Sequence, residues 1–161
     1  MNSIYDDIRA ALETTLASIP NIPIIAWENV TFNPTTGTSF VKARFAPTVR
    51  EPAVRGLNPQ MYYQGVFVVD VYCPEGTGPS VADGVANSII ETLDATTSIY
   101  YEPSTDSILT ESGAFLITES GGKVLLDGVI QVSIRYAERE LGTQEGAFYK
   151  IPVVISWYIY N

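Results

Sequence analysis

Residues 62–93, YYQGVFVVDVYCPEGTGPSVADGVANSIIETL, admit few folds. Tyr63, Phe67, Val69 and Val71 point one way, while Gln64, Val66, Val68, Asp70 and Tyr72 point the other. Alternation of this kind marks a strand whose two faces meet different surroundings. Pro74, Gly76, Gly78 and Pro79 then stop it. Ser80 stands where a helix N-cap belongs, with Asp83 three residues on, and Val81, Val85, Ile89 and Leu93 follow as one helical stripe. A strand running into a helix through a short Gly/Pro turn needs a sheet to join, and the remaining elements must supply it.

They do so in order. Residues 3–18 predict an amphipathic helix with Ser3 as N-cap and Asp6 and Asp7 at the positive end of the dipole. Its stripe is Ile4, Ile8, Leu12 and Leu16, and Pro20 ends it. A short apolar strand over residues 22–27 precedes a polar loop at 31–39. Residues 40–46 predict a strand with Val41, Ala43 and Phe45 on one face and Phe40, Lys42 and Arg44 on the other. Residues 47–61 carry Pro47, Pro52, Gly56 and Pro59 without apolar periodicity, and predict a long mobile loop. Short strands are expected at 98–101, 108–109 and 114–119, followed by a turn at Gly121 and Gly122. Two long strands close the chain. In 129–138, Ile130, Val132, Ile134 and Tyr136 share a face; in 149–160, Ile151, Val153, Ile155, Trp157 and Ile159 do. Residues 139–147 join them as a hairpin. Together these predict a single α+β domain over 1–161, a mixed, mainly antiparallel sheet with two helices on one face.

Composition sets limits on chemistry. A chain of 161 residues with 46% apolar content can bury a full core. Only 17% of residues are charged, so neutral and apolar groups must cover much of the surface and some can serve a partner. The net charge of −9 argues against phosphate binding. There is no histidine, which excludes Ser-His-Asp and Cys-His catalysis and removes the commonest zinc ligand. One cysteine, Cys73, excludes an internal disulfide. No secretory leader or apolar run of membrane-spanning length is expected, and no GxGxxG or GxxxxGK[ST] motif occurs. The Gly76-Thr77-Gly78 turn reads as a helix entry. Asp6 and Asp7 are explained by the helix dipole, and Asp70 by an exposed or channel-facing strand position. No catalytic residue, cofactor or metal is assigned.

Charge is unevenly distributed. Lys42, Arg44, Arg50 and Arg55 cluster with one acid, Glu51. Glu91, Asp94, Glu102, Asp106, Glu111, Glu119 and Asp127 meet only Lys123. These are either solvated surfaces or complementary faces of two copies, where charge sets register more than affinity.

An N-terminal helix ending in proline, then Ile24-Ile25-Ala26-Trp27-Glu28-Asn29-Val30 with Phe32 and Pro34, Arg44 on a strand, a Pro-rich segment, and Gly65-Val66-Phe67-Val68-Val69-Asp70-Val71-Tyr72 with Pro74, Gly76, Thr77 and Gly78 make a recognisable order. It resembles the tail terminator (tail completion) proteins of long, flexible-tailed bacteriophages. The likeness covers residues 1–93, more loosely the closing strand from Phe148, and not 94–128.

The resemblance implies a non-enzymatic virion tail protein assembled in the host cytoplasm. It would form a ring, a homohexamer, that caps the tail tube, stops its polymerisation and presents a surface for head joining. Implied partners are other copies, the tail tube protein, a head-completion or neck protein and the tape measure protein. DNA would pass through without specific binding, repelled by acidic residues lining the channel. Arg50, Arg55 and Tyr62 in and beside the 47–61 loop, the face of Lys42, Arg44, Gln64, Asp70 and Tyr72, and the hairpin with Arg139 and Glu140 are the expected partner contacts. The alternatives are another ring-forming neck, connector or tube component, and a small acidic hydrolase using Asp70 with Glu28 or another carboxylate.

Overall fold

The computed structural model describes residues 3–101 and 130–161. Helix α1 (Ile4–Ala17) opens as its sequence predicts: the Asp6 N–H donates to the Ser3 hydroxyl and the Ser3 N–H donates back to the Asp6 carboxylate at 3.1 Å. That bonding from Ser3 holds the Asp6 carboxyl below its ordinary pKa. Ile8, Leu12 and Leu16 are buried with Ala11, while Ile4 is partly covered.

Among the described residues seven strands form one sheet: β1 (Ile24–Ala26), β2 (Phe40–Pro52), β3 (Met61–Pro74), β4 (Ser98–Tyr101), β5 (Ile130–Arg139), β6 (Thr143–Glu145) and β7 (Phe148–Tyr160). The spatial order is β1-β2-β3-β7-β5-β4, with β6 also on β7. Among the described strands only β1 and β2 run parallel, and every other pair is antiparallel. Helix α2 (Pro79–Thr92) follows β3. The fold is α+β. One sheet face supplies Val41, Ala43, Phe67, Val69, Val132, Ile134, Val153 and Trp157 to a single core cluster, and the residues that α1 and α2 bury belong to the same cluster. The pairing of β3 with the closing strand runs over their full lengths, from Tyr62 with Tyr160 to Pro74 with Phe148.

Several local expectations are corrected. Residues 47–61 are not one long loop: β2 continues to Pro52 and pairs with β3 as far as Met61, leaving only a tip at 53–60, closed by the Ala53 N–H donating to the Gln60 carbonyl at 2.8 Å. The prolines are tolerated because β1 covers β2 only at Phe40, Val41 and Lys42, so the rest of β2 is an edge, and Pro47 stands at a register shift. Ser80 is not the cap. Gly78, with φ of 77°, is the N-cap and Pro79 occupies the first turn, where its missing N–H leaves nothing unsatisfied.

The α2 stripe is also rotated: Ala82, Ala86, Ile89 and Leu93 are buried, whereas Val81 is 47% exposed. Small residues lie against the sheet, letting the helix approach closely. Finally, Tyr136 leaves the core face. The β5–β7 register shifts between Ile134 and Tyr136, so the extra residue, Arg135, reverses the alternation and Ala137 packs inward instead. The expected strand over 22–27 narrows to Ile24–Ala26. The expected strands at 108–109 and 114–119 and the Gly121-Gly122 turn lie outside the described residues.

Candidate functional site

The sheet face opposite the core carries the residues that have no structural claim on them from the helices. Register places Lys42 beside Asp70, Arg44 beside Val68, Val68 in turn beside Val154, and Tyr72 beside Lys150. Asp70 is only 2% exposed, which corrects the expectation of an exposed strand position. Arg44 Nη2 lies 2.9 Å from its carboxylate and Lys150 Nζ 3.8 Å, both reaching diagonally across neighbouring strands. Lys150 also meets Glu145 at 3.3 Å. Burial pulls the Lys150 ammonium pKa down, but the surrounding Asp70, Tyr72 and Glu145 outweigh it, and the net shift is upward. Burial pushes the Tyr72 phenol up. The Tyr72 ring stacks on Phe40 at 4.6 Å, and Phe148 meets both edge-on. Lys42, Arg44, Asp70, Tyr72 and Lys150 line a shallow depression of about 320 Å³ with Trp27 and Glu28.

The other end of this face is aromatic. Tyr62 packs against Tyr160 at 5.1 Å and Tyr158 at 6.3 Å. Its hydroxyl donates to the Gln64 side chain at 2.7 Å and accepts from Arg135 Nη2 at 2.6 Å. The Arg135 guanidinium lies over Tyr158. Between the two ends Val66, Val68, Val154 and Pro152 are half-buried. A charged end, an apolar middle and a tyrosine-arginine end suit a protein partner better than a small molecule.

The partner residues expected from the sequence therefore separate. Lys42, Arg44, Tyr62, Gln64, Asp70 and Tyr72 share the open face. Arg50 turns to the opposite face, over Tyr63 at 5.8 Å. Arg55 stands on the exposed tip at 53–60. Arg139 is tied to Asp83 of α2 at 2.8 Å, and the Glu140 N–H donates to the Pro152 carbonyl. Lys150, Glu145, Arg135, Tyr158 and Tyr160 join the face without having been singled out. Their alternation is readable, but nothing local says that the closing strand pairs with β3.

Carboxylate chemistry finds little support. Glu28 faces Arg9 at 3.5 Å and accepts the Phe45 N–H, so both Glu28 and Asp70 are engaged structurally. Thr77 Oγ1 donates to the Pro74 carbonyl at 2.8 Å, making the Gly76–Gly78 turn a helix entry. Among the described residues no group of His, Cys, Asp and Glu is placed to hold a metal, and no helix is long and apolar enough to cross a membrane.

Residues 7–157 match the family described as phage tail terminator protein. The chain belongs to that family. As a tail terminator family member it has a structural role in phage tail assembly, as a component of the virion tail that meets other tail or head proteins. A solved structure 22% identical, covering 99% of this chain and 97% of its own, superposes with a TM-score of 0.61 and shares the fold. Comparison with curated proteins gives no match.

Proposed function

We propose that this chain assembles with copies of itself into a ring that caps the phage tail tube, ends its polymerisation and presents the surface for head joining. The observation that carries this reading is a pair of surfaces that no described element covers in a tail terminator chain. One is the open face with its charged and tyrosine-rich ends; the other is the hairpin arm whose tip, residues 53–60, stands clear of the core. A ring uses two different patches of each subunit, one for each neighbour, and the arm supplies one of them. The tail tube protein, a neck protein and the tape measure protein are the further partners. The net charge of −9 suits a channel that repels phosphates and lets DNA slide. The function is mechanical and non-enzymatic, with a homohexamer as the expected ring.

Light scattering on the purified protein, with electron microscopy in the presence and absence of tail tubes, tests this. One discrete closed oligomer seated on tube ends is expected. Long tubes formed by this protein alone would make it a tube component instead. Monomers that never associate with tubes would overturn the assembly role.

A further inference from the structure

The arm ends in two aliphatic side chains that nothing among the described residues covers. Leu57 is fully exposed and Val54 is 63% exposed, with Arg55 between them in sequence. A leucine held at a hairpin tip that its neighbours leave bare gains nothing from folding the monomer. Elsewhere the two helices leave a cleft of about 350 Å³ between the end of α1 and the first turns of α2. Ile19, Ile22, Val81 and Val85 make its apolar walls, and Gly84 and Ser88 keep its floor open. Val81 is 47% exposed at its rim, the large apolar side chain that the rotated α2 stripe leaves outside the core. The α1 end of the cleft has a charge character of its own. The C-terminal carbonyls of α1 are the negative end of its dipole, and its last turn holds no basic residue.

Tip and cleft cannot meet within one copy. Helix α2 begins just beyond Pro74, whereas the tip lies past Met61, at the other end of β3. Those ends are separated by about 43 Å of strand. The arm root is held in line by Met61 and Asn161, each of whose N–H donates to the other's carbonyl, at 2.7 and 2.9 Å. An apolar knob and an apolar cleft on separate regions are the ingredients of a head-to-tail contact, which closes into a ring when the rotation permits.

We propose that the arm tip of one copy seats Leu57 and Val54 in the α1–α2 cleft of the next copy, with Arg55 against the C-terminal carbonyls of that α1. The contact rests on the ring reading above and names its subunit interface. Buried aliphatic anchors supply the affinity, and the arginine at the helix end orients the arm.

A paired-cysteine variant, Leu57→Cys with Val81→Cys, tests the contact directly, because the native Cys73 is fully buried. Oxidation of the assembled variant should give a ladder of covalently joined copies on a non-reducing gel, absent from either single variant. Leu57→Asp should raise the half-assembly concentration at least about tenfold, as expected when a buried leucine is replaced by a carboxylate, with an unchanged Tm. Assembly of the paired variant into normal rings without cross-links overturns the contact and leaves the ring reading standing. So does a Leu57→Asp protein that forms rings normally but no longer binds tubes, since the tip's partner is then the tube protein. Wild-type protein that remains monomeric with tubes present overturns both.

Discussion

Asp70 is the one acid among the described residues that is almost completely buried, and its neighbours decide what removing a charge beside it does. Arg44 bonds it at 2.9 Å, yet the arginine side chain is 55% exposed and Lys150 stays within 3.8 Å. Breaking a wholly buried pair costs about 3–5 kcal/mol, and an exposed pair contributes under about 1 kcal/mol. Arg44→Met is therefore expected to lower unfolding stability by about 2 kcal/mol, between those limits. Adding Asp70→Asn should restore part of the loss by removing the charge left behind. Urea denaturation checks it: an Arg44→Met midpoint equal to wild type would mean that Lys150 alone satisfies the carboxylate.

Strands and helices show where sequence reasoning succeeds and where it stops. Gly65 faces Trp157 across the sheet, and a Cβ there would lie 2.5 Å from the indole and 2.6 Å from the Ala46 carbonyl oxygen. Gly65→Ala is expected to destabilise by about 1–3 kcal/mol through overpacking between β2 and β7. A chemical-denaturation midpoint unchanged from wild type would show that the strands part freely there. The inward faces of β3 and β7 were legible because period-two alternation is a local property of the chain, as Val69, Val71, Ile151 and Val153 illustrate. The arm was not, because Pro47, Pro52 and Pro59 read as breakers until it is known that β2 has no neighbour among the described strands on its outer side there. Tyr136 was misplaced by a single bulge residue, and the α2 stripe by alanines whose burial follows from close packing rather than from their own hydrophobicity. Of the candidate site, half of the face was visible as alternation on β3. The Lys150 and Tyr158 half depends on which strand lies beside which, and strand order is set by the whole core.

At the scale of the whole molecule, the sheet is its longest-range device. β2 and β3 meet as neighbours in sequence, whereas β3 and β7 join segments far apart along the chain, with Val69 beside Val153. Non-local pairing of this kind makes opening a collective event. Cys73 lies inside that pairing, beside Tyr149, with its sulfur within 3.5 Å of the Ser39 hydroxyl. It is the chain's single thiol and is fully covered. A thiol reagent should label the folded protein orders of magnitude more slowly than the urea-unfolded chain, and rapid labelling without denaturant would reveal a sheet that parts locally around Cys73. The protein thus carries its own clock: each labelling event times one parting of β3 from its neighbours, and the rate should fall further when assembly restrains the sheet.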